Sequence, residues 1–180
     1  MESAPVYIRI LPIESAEDSH LMQEITDLVN QVYSVAEDGQ WLPGVNRTTV
    51  DEIAEFTRAG QIFVAQVDGV VVGSIRVQLL DSTTGESGML SVDPKYRNRG
   101  VGRSLRSFIT AHLHSQGVTT LQIELLKPRN WVQPSKRVMI DWNERAGYKV
   151  VRKGAFEDQY PHLAPYLATP CDFIIYEKKI

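Results

Sequence analysis

Gly88-Met89-Leu90-Ser91-Val92-Asp93-Pro94-Lys95-Tyr96-Arg97-Asn98-Arg99-Gly100-Val101-Gly102-Arg103-Ser104-Leu105 is the stretch on which the reading of this chain turns. Its first part belongs to a predicted strand over Glu86–Val92, ended by Asp93-Pro94. Its last part opens a predicted helix over Gly102–Ser115, with Leu105, Phe108, Ile109 and His112 on one face. Between them lies Arg97–Gly102. A helix start presents backbone N–H groups without partners and the positive end of a dipole. Glycine at 100 and 102 lets the backbone approach an anion with no Cβ in the way. Arg97, Arg99 and Arg103 add charge-assisted donors around the same point. This junction is therefore expected to seat a small polyanion such as a diphosphate.

Charge supports that reading. Lys95, Arg97, Arg99, Arg103 and Arg106 stand against Asp93 alone, a local +4 that leaves −7 on the rest of a chain of net charge −3. One basic spot on an acidic protein does not suit a nucleic-acid binder, whose positive charge covers a face. Two other glycine loops fit less well. A P-loop needs Lys-Ser/Thr after its last glycine, where this chain has Arg103-Ser104. A dinucleotide fingerprint needs a third glycine where Leu105 stands, although Glu124 lies about twenty residues on, as its acidic residue would.

Moving outward, Val6–Leu11 is a predicted edge strand ended by Pro12, and Met1–Ile10 reads as strand rather than signal peptide. Ala16–Ala36 has helical spacing in Leu21, Ile25, Leu28, Val29 and Val32. Thr49-Val50-Asp51-Glu52 is a reciprocal capping box, opening a helix to Ala59 that Gly60 stops. Gln61–Val67 and Val70–Leu80 form a hairpin about Asp68-Gly69. Val118–Leu126 is a strand broken by Pro128, and Ser135–Arg145 a helix stopped by Ala146-Gly147. Tyr148–Arg152 and Asp172–Glu177 are the closing strands, with a proline-bearing loop between them. The 180 residues are expected to form a single α/β domain (1–180) with a mixed sheet: strand, two helices, three strands, helix, strand, helix, two strands. No apolar run reaches the roughly 18–20 residues of a membrane helix, so no membrane partner is expected. A single cysteine, Cys171, excludes an intrachain disulfide and suits a reducing, cytoplasmic setting. His112 and His114 are too poorly spaced to share a metal on one helix, and no metal is expected.

Arg97-x-x-Gly100-x-Gly102, preceded by Gly88–Pro94, resembles the acetyl-CoA signature of the GNAT N-acetyltransferase superfamily. Glu144-Arg145-Ala146-Gly147-Tyr148 resembles its second landmark, usually Tyr-Glu-Lys-Leu-Gly-Phe. Trp41–Gly44 with Arg47-Thr48-Thr49 is similar to fungal and bacterial members. The likeness spans roughly Gln61–Val151. It implies a GNAT-like fold that moves an acetyl or short acyl group from acetyl-CoA to an amine. It implies that the strand holding Met89–Val92 splays from the strand Leu121–Leu126, with pantetheine in the gap paired to the backbone of Leu90 and Val92. The amides of Arg99–Ser104, Val101 included, would hold the pyrophosphate.

By the same resemblance Glu86 falls at the position of the general base used in the histone-acetylating branch. Glu124 is the other candidate base, sharing a strand face with Gln122. The family's usual acid, a tyrosine on the fourth helix, is replaced by Asn143 beside Trp142. A carboxamide can hydrogen-bond to sulfur but cannot donate a proton at a useful pKa. Tyr33, Glu37 and Trp41, in a Glu14–Glu55 segment holding ten carboxylates and one Arg, are candidate acceptor contacts for a cationic amine. The long loop with Tyr160 and His162 could cover the site. A homodimer is compatible with the family. Two rivals remain: a catalytically weak acyl-CoA-binding module, which the missing tyrosine favours, and a nucleotide-dependent oxidoreductase.

Overall fold

The computed structural model describes residues 5–180, so Met1–Ala4 of the segment read as extended lie outside the described residues. The elements are β1 (Tyr7–Ile10), α1 (Ser19–Ala36), α2 (Val50–Arg58), β2 (Ile62–Val67), β3 (Val70–Leu79), β4 (Thr84–Val92), α3 (Val101–Ser115), β5 (Thr120–Pro128), α4 (Pro134–Arg145), β6 (Lys149–Ala155), α5 (Phe156–Gln159) and β7 (Cys171–Lys179). They build one mixed sheet of order β1-β2-β3-β4-β5-β7-β6. Every pairing is antiparallel except β4 with β5. This is the mixed α/β architecture expected from the sequence.

Several boundaries differ from the expectation for local reasons. The helix read from Ala16 is broken, because the Asp18 carboxylate accepts the Leu21 amide at 3.0 Å and so caps a new start. Ahead of it, Ile13–Glu17 is a single 3₁₀ turn. The capping box at Thr49 is half made. Thr49 Oγ1 accepts the Glu52 amide, but Glu52 accepts from the Thr48 hydroxyl at 2.6 Å instead of reaching back. Pro128 does not break β5; it closes the ladder opposite Cys171. The loop after β6 contains α5 and a 3₁₀ turn at Ala164–Tyr166. At Asp68-Gly69 both φ angles are positive, 50° and 81°, the backbone a two-residue hairpin demands.

Apolar side chains fill both faces of the sheet. On one face Leu105 and Ile109 of α3, with Met139 and Ile140 of α4, cover Phe63, Ile75, Leu121, Ile123 and Tyr176. On the other, Met22 and Ile25 of α1 and Ile53 of α2 cover Val64, Val71 and Met89. A third group, Leu126, Phe156, Cys171, Phe173 and Ile175, lies under α5.

One buried ion pair ties the two faces together at the rim. Lys136 on α4 donates to Glu37, just past α1, at 2.6 Å, with both side chains less than a tenth exposed. Trp41 Nε1 donates to the other Glu37 oxygen at 2.7 Å. Gln133 and Ser135 bond the carbonyls of Ala36 and Asp38 alongside. Removing one partner strands a buried charge. Lys136→Met is expected to cost about 3–5 kcal/mol, read as a lowered urea midpoint, and Glu37→Leu with Lys136→Met is expected to recover most of it.

Candidate active site

The site is built on a gap in the sheet. β4 and β5 are paired only from Thr84↔Thr120 to Ser87↔Ile123. Beyond that, β4 stays with β3 and β5 stays with β7. The cause lies in β4. Two residues, Met89 and Leu90, separate Gly88 from Ser91, where β3 spends one, Ile75, between Ser74 and Arg76. Met89 takes up the extra residue at φ 53°, with its side chain buried against α1 and α2. A bulge of this kind sharpens the local twist, and β4 swings from β5 as it leaves. Leu90 and Val92 lie on the swung segment with their edge toward β5 unpaired, their side chains packed on the α3 face.

At the mouth of the gap stands the junction that opens α3. Asn98 and Gly100 have φ of 62° and 82°, and Gly100 is the N-cap without a side-chain cap. The Arg99 amide bonds Tyr96 O and the Ser104 amide bonds Gly100 O. Among the described residues, the amides of Gly100, Val101, Gly102 and Arg103 meet no backbone acceptor. Arg97, Arg99 and Arg103 are exposed around them. A Cβ on Gly102 would sit 3.6 Å from Trp142 and Val92 and 4.0 Å from Leu90, so the helix start is pressed close to the gap. Free amides, three guanidiniums and an adjoining slot fit a diphosphate followed by a narrow chain, which is the shape of coenzyme A. From here a groove of about 700 Å³ runs between α3 and α4, lined by Arg103, Arg106, Arg145 and Lys178 and by no Asp or Glu side chain.

The other face of the gap is acidic. Glu86 on β4 is opposite Gln122 on β5. It accepts from Gln78 Nε2 at 2.8 Å and from Gln122 Nε2 at 3.1 Å. Two residues along β5, Glu124 accepts the Tyr160 hydroxyl at 2.9 Å. Burial, and next the Glu86 charge, push the Glu124 carboxyl from the ordinary 4.5 up to about 7, with the Tyr160 hydrogen bond opposing. Burial raises the Tyr160 phenol, and so does Glu124. Arg76 stacks on Phe56 at 3.7 Å and bonds Gln61 and Gln78, closing the network on the α2 side. The sequence reading singled out both carboxylates. It placed Gln122 on the Glu124 face but missed Gln78 and the Tyr160 contact, which the loop between β6 and β7 supplies.

The remaining candidates separate. Tyr33 lies in the rim near Arg47, 5.3 Å from its ring, and burial pushes its phenol up to about 12. Glu37 has both oxygens engaged by Lys136 and Trp41. Trp41 packs edge-on against Phe156 and bridges to Leu167, tying the α1–α2 loop to the β7 return loop. Asn143 is 1% exposed and accepts from Arg106 Nη2 at 2.7 Å, so its oxygen is spent on that guanidinium. Cys171 is buried and its thiol pushed up to about 11 by desolvation. His112 packs against Phe63 at 5.2 Å.

The acetyltransferase (GNAT) domain profile matches residues 58–150. No curated protein was found to match in sequence. Among solved structures, an N-acetyltransferase from Staphylococcus aureus Mu50 superposes with TM-score 0.67 at 17% identity, covering 98% of this chain and 99% of that one. The ribosomal-protein-S18-alanine N-acetyltransferase from Escherichia coli gives 0.67 at 16%, over 98% and 94%. The N-acetylglutamate synthase from Neisseria gonorrhoeae, complexed with coenzyme A and N-acetyl-glutamate, gives 0.65 at 16%, over 99% of this chain and 36% of that one. At these identities the likeness is one of fold.

Carboxyl ¹³C titration is expected to place the Glu124 midpoint near 7. Glu86→Gln should lower it, and Tyr160→Phe should raise it further. Because the folded protein holds this proton more tightly than the unfolded chain, its stabilising effect is complete below about pH 4.5 and fades as pH rises through about 7.

Proposed function

The chain belongs to the GNAT acetyltransferase family, and from that premise we propose that it moves an acetyl or short acyl group directly from acyl-CoA to a primary amine of a small molecule or peptide. The observation that carries the finer reading is Glu124, a carboxyl shifted to about 7 on the acidic side of the gap. A primary amine with a pKa of about 10.4 is mostly protonated at neutral pH, and freeing its lone pair costs about 4–5 kcal/mol. Glu124 is matched to that task, since a base works best with a pKa near the operating pH.

Each residue then has a physical part. Bound acyl-CoA supplies an activated acyl carbon and a thiolate leaving group. The amides of Gly100–Arg103 with Arg97, Arg99 and Arg103 bind the pyrophosphate, and the unpaired edge of Leu90–Val92 orients the pantetheine arm. Glu86, fixed by Gln78 and Gln122, stays close enough to Glu124 to hold its proton up. The two carboxylates draw a cationic amine into the pocket. Glu124 accepts the proton the amine gives up, and Tyr160 holds its carboxylate in one orientation.

Free-thiol release against a panel of amines is the direct test. The rate should rise with pH through about 7, and Glu124→Gln should lose that limb and about 10²–10⁴ in rate. Glu86→Gln should move the limb to lower pH. Calorimetric binding of acyl-CoA with no amine-dependent thiol release would assign the chain to acyl-CoA binding without turnover.

A further inference from the structure

Asn143 cannot perform the acid step that the usual tyrosine of this landmark performs, yet the structure puts a charge beside it. Arg106, one turn into α3 past Gly102, reaches inward and donates through Nη2 to Asn143 Oδ1 at 2.7 Å. Its guanidinium lies flat on the Trp142 ring at 3.7 Å and faces Tyr148 at 5.7 Å. Burial pulls its pKa below the ordinary value for arginine. No carboxylate among the described residues lies within ion-pair distance of it. Its Nη1 is buried and meets no acceptor. A desolvated guanidinium with an idle donor is costly to keep, so its place in the fold calls for an anion.

Position narrows which anion. Pyrophosphate is served by the exposed arginines and free amides at the helix start, a turn away. Arg106 sits one turn further along α3, flat on the Trp142 ring whose edge lies 3.6 Å from where a Gly102 Cβ would be. Tyr33, carried by α1 on the other side of the sheet, feels its charge. Arg103, Arg145 and Lys178 line the same groove and add positive potential with no acid among them.

We propose that Arg106, positioned by Asn143 and Trp142, is the group that stabilises the departing coenzyme thiolate, a fixed cation in place of a proton donor. The inference rests on the acyl-CoA reading above. In the step, Glu124 takes the ammonium proton and passes it to solvent, the freed amine forms the C–N bond to the acyl carbon, and the second nitrogen proton leaves to solvent as the amide forms. The C–S bond breaks with its electron pair left on sulfur. Arg106 holds that thiolate until solvent protonates it. Asn143 is a positioning residue, its carbonyl oxygen fixing the guanidinium plane.

The test reads thiolate directly. With coenzyme A bound to the intact protein, ultraviolet absorbance of the thiolate is expected to titrate below the pKa of the free coenzyme. Arg106→Met should return it to the free value or above, Arg106→Lys should recover part of the shift, and desulfo-coenzyme A should bind all three alike. In turnover, Arg106→Met should lose about 10²-fold in kcat with little change in KM, as when one preorganised donor is removed. An unchanged bound-thiol pKa in a folded Arg106→Met protein that still binds desulfo-coenzyme A overturns the proposal and leaves the acyltransfer reading standing. So does a loss confined to dicarboxylic acyl groups, which would assign the guanidinium to the acyl chain. Absence of coenzyme binding by the unaltered protein overturns both.

Discussion

Four residue pairs of parallel ladder, Thr84–Ser87 against Thr120–Ile123, and then none, are the constraint on which the molecule depends. Parallel strands that stayed paired would bury their backbone edges and leave no slot. The ladder ends because Met89 takes a left-handed backbone and its side chain is captured between α1 and α2. Burial of that one side chain offsets the backbone cost, roughly 1–3 kcal/mol for a non-glycine residue there. The edges freed on either side are the polar groups that a pantetheine arm, itself an amide chain, can satisfy.

Two environments of opposite sign lie on the two faces of the sheet. Over α3 and α4 the groove lining includes Arg103, Arg106, Arg145 and Lys178. Across the sheet it is Glu86 and Glu124, tethered by Gln78, Gln122 and Tyr160. In the proposed reaction a polyanionic donor and a cationic acceptor are each drawn to a different face of the sheet. Keeping the carboxylates about a strand apart does further work. The Glu86 charge raises the cost of ionising Glu124, and Glu86 itself is held by two glutamine side chains, Gln78 and Gln122.

What the chain disclosed before folding was what is local. The strand–turn–helix run to Gly102, the Asp68-Gly69 hairpin and the α4 stop at Ala146-Gly147 are each decided within a few residues, and all are present. Glu86 was singled out through the family resemblance, and Glu124 as a mid-strand carboxylate sharing a face with Gln122. Their coupling was not, since it needs β4 and β5 in register and Tyr160 brought back from 36 residues away. Glu37 shows the same limit. In sequence it is one of ten acids around the α1–α2 loop, and only the fold delivers Lys136 to it across 99 residues. The helix start read at Ala16 and the Glu52 half of the capping box differ because a cap chooses among several nearby amides and hydroxyls.

Arg106 illustrates why departures from a pattern repay physical scrutiny. It was visible only as one more charge in a basic run, and Asn143 only as a missing tyrosine. Joined by a 2.7 Å bond, the two become one feature. An asparagine is small enough to leave room for a guanidinium from the facing helix, whereas a tyrosine ring would fill that space. A phenol must surrender a proton to be useful to a leaving sulfur. A guanidinium acts by its charge alone and remains protonated across the range in which Glu124 ionises. In the proposed reaction this separates the two ends of the chemistry: the amine side responds to pH through Glu124, and the sulfur side does not. The exchange asks of the protein only that the charge be kept dry and aimed, which Trp142 and Asn143 together accomplish.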